Sequence, residues 1–289
     1  MGLLHPNTDW ISTPMSSSVN STQLAQQTGE VRAPSLNARS GRALYLPLLV
    51  AGGVLLLWEI GVRVAGIPAV ILPSPSAILE LVFDKHEILL RHAIPTTLES
   101  AGGFLLASAV GILIAILLTY SEIARQALFP NLVFFQLIPK IALAPLFIMW
   151  LGIGSQSRLA FSVFISIFPI IIATTAGLSA ADPNAVRLCR SLTASEWQIF
   201  TNIRFPSALP YIFSGMKIGI TLSIIGVIIG EFITSQRGLG YLIIFATSRA
   251  DTVVAMAAIV VLCASGLLLY GAVALAEKLT DRRYGVPRG

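Results

Sequence analysis

Ionisable side chains stand inside apolar runs of this 289-residue chain, among them Lys140 in IPKIALAPLFIMW and Glu231 in GEFITSQRGLGY. A charge held in hydrocarbon costs about 3 kcal/mol or more, so such a group either serves a solute path or has a partner inside the bundle. Lys140 follows Pro139, and Pro145 lies five residues beyond it. Each proline removes an amide donor and frees a backbone carbonyl. Broken backbone is tolerated at membrane depth only where it is buried in protein or lines a water-filled cavity. Pro139, Lys140 and Pro145 are therefore candidates for lining or gating a path, and a cation there would suit an anionic solute. The competing reading has Lys140 snorkelling, or pairing with a carboxylate of another span. Glu231 likewise either gates, or pairs with Arg237 or Lys140. Glu59 and Glu99 lie nearer the ends of their runs and are expected to snorkel to the interface.

Other chemistry finds little support. No GxxxxGK followed by Ser or Thr is present, so the phosphate-cradling loop of nucleotide hydrolases is missing. Neither GxSxG nor HExxH occurs. Cys189 and Cys263 form no CxxC, and His5, His86 and His92 lack metal-ligand spacing, so no metal site is expected. The chain is not expected to be an enzyme.

The elements that must position Lys140 and Glu231 are membrane spans. Only 11% of residues are charged, 55% are apolar, and mean hydropathy is +0.81. Soluble domains carry about 25% charged residues. A span needs roughly 20 apolar residues. Six runs qualify, at about 44–64, 97–119, 128–151, 159–178, 210–234 and 253–276. With no water to satisfy the backbone, such runs form helices. The expected fold is all-α and polytopic, with six transmembrane helices. Arg125, Arg187, Arg190, Arg204, Lys278, Arg282 and Arg283 all fall on one side if both termini are cytoplasmic. Lys85, Arg91, Arg158, Arg237 and Arg249 fall on the other. The basic excess marks the first side as the cytoplasm. The net charge of +5 reflects those loops rather than nucleic-acid binding. Residues 1–43 are polar and expected to be disordered; Met15 is an alternative start. Residues 44–280 form the membrane domain and 281–289 a basic tail. The outer loop at 65–96 holds a short amphipathic helix, capped by Ser76, that packs between spans. Gly215, Gly219, Gly226 and Gly230 lie on one stripe of the fifth span, suiting close helix packing within the subunit or across a dimer.

One segment breaks the apolar pattern. The loop at about 180–209 includes LTASEWQIFTNIRFPSALP, Leu192 to Pro210. Asp182 and Pro183 start a helix carrying Ala185, Leu188 and Leu192 on one face. Ser195 caps a second, with Trp197, Phe200 and Ile203 at three-residue intervals; Pro206 ends it and Pro210 opens the fifth span. The aromatics either meet a partner, or pack at the membrane interface or against the spans.

This loop resembles the coupling loop of ABC-type importer permeases. Their signature is E-A-A, three residues, G, nine residues, I, one residue, L-P. Here Arg187-Leu188-Cys189 stand at the E-A-A positions, Thr193 at the Gly, Ile203 in register and Phe205-Pro206 at L-P. LPSPSAILELV, IPKIALAPLFIMWLGIG, FPSALPYIFSGMKIGI and GEFITSQRGLGYLI resemble one branch of that family. It is the branch importing nitrate, sulfonates, taurine or pyrimidine precursors, and the likeness covers about 47–280. It implies the type I ABC importer permease fold in a bacterial cytoplasmic (inner) membrane. The partners it implies are a second copy of the chain, two ATPase subunits that hold ATP and Mg, and an external solute-binding protein. The solute would be an anion or small organic molecule. Ser195, Glu196, Trp197, Phe200, Ile203, Arg204 and Pro206, with Arg187 and Thr193, would carry the ATPase contact. Thr193 puts a β-branched residue where the family turn has Gly. The alternative is a secondary transporter or channel driven by an ion gradient, which midplane ion pairs and inverted repeats would favour.

Overall fold

The computed structural model describes residues 42–284, with side chains from residue 45 onward. The polar tail, the start at Met15 and the last five residues lie outside them. The chain divides into two compact units, 1–54 and 55–289. The described part of the first is the opening half of helix α1 (Arg42–Val64). The second holds the rest of α1 and every later element.

All regular elements among the described residues are helical. In chain order after α1 come α2 (Pro75–Asp84), α3 (His86–Tyr120), α4 (Glu122–Leu137) and α5 (Ala144–Leu151). Then follow α6 (Ser155–Ser179), α7 (Pro183–Ser191), α8 (Glu196–Ile199), α9 (Phe205–Thr234), α10 (Leu239–Ser248) and α11 (Thr252–Tyr284). Among the described residues five helices are long and apolar enough to cross a membrane; α4 and the segment Lys140–Leu151 that ends in α5, bent by 91°, make a sixth if read as one broken span. Apolar side chains such as Leu57, Leu105, Leu113, Leu267 and Leu268 stand exposed on these helices, as lipid contact requires.

Several boundaries differ from the sequence reading. Helix α3 begins eleven residues before the expected start near 97 and runs through Pro95 for 35 residues. At about 1.5 Å per residue it is some 50 Å long, well beyond the hydrocarbon thickness of roughly 30 Å. The cap of α2 is Ser74, whose hydroxyl accepts from the Ala77 amide, not Ser76. Ser76 is taken by Glu59 instead: its amide donates to Oε2 (3.0 Å) and its hydroxyl to Oε1 (2.8 Å). Glu59 also pairs with Arg63 at 2.5 Å, so it anchors the outer loop rather than snorkelling. Ile78 of α2 packs with Leu89, Ala93, Leu239, Leu242 and Ala258, making α2 a packing element.

The centre of the fold is α6 held between α9 and α3. A Cβ at Gly215 would lie 2.7 Å from Ala173 Cβ, and one at Gly219 2.7 Å from Ile170 Cδ1. At Gly226 it would meet Ser162 Cα at 2.8 Å, and at Gly230 the Arg158 Cγ at 2.7 Å. All four glycines thus face α6 of the same chain. Gly226→Ala is expected to lower stability by about 1–3 kcal/mol, because backbone cannot yield as a flexible side chain can. Gly271→Ala on α11, with nothing within 4 Å of its Cβ, should be neutral or stabilising. Unfolding midpoints in detergent compare the two; equal midpoints would refute the close packing.

Candidate functional site

Glu231 is 2% exposed, near the end of α9. It pairs with neither Arg237 nor Lys140. The Thr96 hydroxyl of α3 donates to its Oε1 (2.7 Å), and the Gly240 amide donates to its Oε2 (2.7 Å). Thr96 Oγ1 in turn accepts from the Leu239 amide at 2.9 Å. The Gly238 amide donates to His92 Nδ1 at 3.2 Å. The carboxylate thereby fastens the start of α10 to α3, and the amides at the N-terminus of α10, which have no acceptor within the helix, suit a negative group there.

A buried polar seam continues from this latch. Ser223 Oγ donates to the Ser100 carbonyl (2.6 Å), and Ser162 Oγ lies 2.6 Å from Ser223 Oγ. Ser166 Oγ donates back to the Ser162 carbonyl at 2.6 Å. Arg158 donates to Glu99 through Nε and Nη2, at 2.7 and 2.6 Å. Glu99 therefore does not snorkel; it joins α3 to α6. Lys217 is also satisfied, by Glu277 of α11 at 2.5 Å. Sequence reasoning missed Thr96, Ser100, Ser162 and Ser223. The available signal was Ser or Thr recurring four apart within apolar helices, as at Thr96 and Ser100 or Ser162 and Ser166.

The helix break lies where the prolines stand. Helix α4 stops at Leu137, Pro139 precedes a 3₁₀ turn over Lys140–Leu143, and Pro145 sits in the first turn of α5. Pro139 and Pro145 are exposed and Lys140 is half-buried. No carboxylate pairs with Lys140 among the described residues; its Nζ lies 4.9 Å from the Phe168 ring centroid. A cation over an aromatic face is attracted by the ring quadrupole. Lys140 and Glu231 are not brought together.

The loop is a compact two-helix unit. Asp182 Oδ1 caps α7 by accepting from the Asn184 amide (2.9 Å), with Pro183 in its first turn. Thr193 sits at φ 61°, its amide on the Arg190 carbonyl (3.1 Å) and the Ala194 amide on the Cys189 carbonyl (3.0 Å). That is a Schellman ending with threonine in the place glycine favours. The sharp turn survives the replacement, at a strain of about 1–2 kcal/mol. Ser195 and Gln198 form a reciprocal capping box at α8, and Arg190 reaches Glu196 across the turn at 2.9 Å. Trp197 is 71% exposed, and Leu188 and Leu192 are exposed as well. Phe200 is not free: it packs on Tyr120, Trp197 and Phe205. Ile199, rather than Ile203, is the fully buried residue of the second helix.

Pro206 does not end that helix, nor does Pro210 open a separate one. A π turn over Phe200–Arg204 joins α8 to α9, giving 39 continuous residues from Glu196 to Thr234. The Phe205 amide reaches back to Phe200 O, five residues away. This wider turn makes room for Pro206, whose ring would otherwise clash with the carbonyl four residues earlier.

The family of binding-protein-dependent transport system inner membrane components matches residues 107–284. A probable ABC transporter permease protein of Haemophilus influenzae is 35% identical over 78% of this chain and 93% of its own. The formylaminopyrimidine transport permease protein ThiX of Halalkalibacterium halodurans is 34% identical, covering 83% of this chain and 96% of its own. Among solved structures, an inward-facing form of the MetNI methionine ABC transporter has a chain that superposes with a TM-score of 0.57 at 19% identity. The match covers 70% of this chain and 98% of that one, and at this identity it speaks to the fold. The chain belongs to the family of inner membrane components of binding-protein-dependent transport systems, the permeases of ABC importers.

Proposed function

We propose that two copies of this chain form the translocation path, driven by two ATPase subunits that bind ATP and Mg and hydrolyse it. An external binding protein delivers the solute. The chain itself holds no cofactor in this reading. Both termini face the cytoplasm, which puts the two-helix loop on the ATPase side. Exposed Leu188, Leu192 and Trp197 then enter an apolar groove of the ATPase, as amphipathic helices do. Arg187, Ser195, Glu196, Ile203, Arg204 and Pro206 complete the contact region, and Thr193 sets its turn.

The observation that carries this reading is the unbroken helix from Glu196 to Thr234. A displacement applied at Trp197 passes along one rod to Glu231, and through the glycine stripe to α6. Rigid-body movement of this kind is how packed helices change state. Pro139, Lys140 and Pro145 line the path at the helix break, and Glu231 holds the outer turn that moves with α9. The solute is a small organic molecule or anion, in keeping with the formylaminopyrimidine named for ThiX.

Uptake into vesicles holding the chain, with and without its ATPase, tests this. Uptake is expected to require ATP and the ATPase; uptake by the chain alone on an ion gradient would favour a secondary transporter. Leu192→Ala with Trp197→Ala is expected to weaken ATPase binding by about 2 kcal/mol, roughly 30-fold, since aromatic anchors dominate interfaces. The unfolding midpoint should stay near wild type because both side chains are exposed. Unchanged ATPase affinity would refute the docking assignment.

A further inference from the structure

Helix α3 ends at Tyr120, which packs on Phe200 of the two-helix loop. Arg91 and His92 belong to the opposite end of the same helix. At about 1.5 Å per residue they stand some 40 Å from Tyr120. The hydrocarbon is only roughly 30 Å thick, so this end projects beyond it on the side away from the loop. Helix α9 finishes at the same place. Arg237 follows its last residue, Thr234, closely, and the next amide, of Gly238, donates to His92 Nδ1 at 3.2 Å.

Between the two helix ends lies a cavity of about 460 Å³, lined by Arg91, His92, Ile94, Pro95, Leu98 and Arg237. Small-molecule sites occupy about 300–1,000 Å³. No carboxylate lines it among the described residues. Arg63, Arg158, Arg190 and Lys217 each hold a glutamate, but Arg91 and Arg237 have no ion-pair partner among the described residues. His92 adds a donor: with Nδ1 accepting, the neutral ring carries its proton on Nε2. The backbone that presents Arg237 is fixed, because Ser235 Oγ donates to its carbonyl and accepts from its amide. Ile94 and Leu98, a turn apart on α3, are exposed and make an apolar wall beside the charges. Guanidinium forks match the oxygens of carboxylate, sulfonate or phosphate groups.

We propose that this cavity binds a small organic anion, its oxyanion head on Arg91 and Arg237 and its apolar body on Ile94 and Leu98. The site is separate from Lys140 at the helix break and from the two-helix loop. Because Arg237 directly precedes Gly238, an occupant ties the turn before α10 to α3, beside the Glu231 latch. That the occupant is the imported solute, held outside the path, rests on the ATP-driven import proposed above.

The probe is benzoate, with benzamide as its uncharged counterpart of the same shape. Each is titrated calorimetrically into the full chain in non-ionic detergent. Wild type is expected to bind benzoate at least tenfold more tightly than benzamide. R91Q/R237Q should lose at least tenfold in benzoate affinity, whereas R282Q/R283Q, in the last turn of α11, should lose none. An unfolding midpoint for each variant shows whether it is folded. The wild-type comparison needs no variant, so equal affinity for the two probes would by itself overturn the proposal. So would unchanged benzoate affinity in folded R91Q/R237Q. Displacement of benzoate by equimolar sulfate would show that charge alone is read, and overturn the organic anion. Displacement by phosphatidylglycerol would assign the arginines to a lipid headgroup, and displacement by the unloaded binding protein to that protein; either overturns it. The titration contains no ATPase. A failure to bind benzoate therefore leaves ATP-dependent uptake standing, and the two readings fail separately.

Discussion

Gly238→Ala is expected to destabilise the protein by roughly 2–6 kcal/mol, the sum of backbone strain and a steric clash. Gly238 has φ +110° and ψ 164°, a region that residues with a Cβ hardly visit. A Cβ built there would lie 2.0 Å from Glu231 Oε1 and 2.2 Å from Glu231 Cδ. The carboxylate cannot swing aside cheaply, because Thr96 and Gly240 hold both of its oxygens. The measurement is a thermal unfolding midpoint in detergent. The same substitution in a Glu231→Ala background should be less harmful, since the clash is gone and only the strain remains. Equal losses in the two backgrounds would show that Gly238 and Glu231 are not in contact.

Glu99→Ala is expected to lose about 3–5 kcal/mol, because it strands Arg158 at a largely buried helix interface. The side chains are 15% and 12% exposed, and two hydrogen bonds join them in fork geometry. Arg158→Met alone should be similarly harmful, leaving a buried carboxylate unpaired. Glu99→Met with Arg158→Met should recover most of the loss, because an ion pair replaced by packed apolar side chains is often neutral or better. A double-mutant cycle on unfolding midpoints gives the coupling; additive losses would mean that the pair does not hold α3 to α6.

Much of the helical framework was legible in the residues themselves. Long apolar runs located the spans, and Asp182 with Pro183 and Ser195 marked helix starts that the structure shows. These are local signals: a cap needs only the amides two or three residues onward. Proline was a less reliable sign. Pro139 coincides with a 91° break, whereas Pro95 and Pro169 sit inside long helices and Pro206 is absorbed by a π turn. Whether a proline breaks a helix depends on what neighbouring elements supply to the freed backbone, which the local residues do not encode.

The candidate site divides the same way. Composition, run length and loop charge determined by themselves that this is a helical membrane protein with a polar two-helix loop before its fifth apolar run. Only the tertiary structure decided the partners of the ionisable groups. Arg158 and Glu99 are 59 residues apart, and Thr96 and Glu231 are 135 apart. Their meeting depends on the rotation and axial register of three packed helices. Those quantities follow from how the glycine stripe of α9 lets it approach α6, and from how the seam of serines and threonines satisfies itself across the interface. Hydrophobic periodicity says which stretches enter the membrane, but side chains four residues apart on one helix carry no information about what stands opposite them.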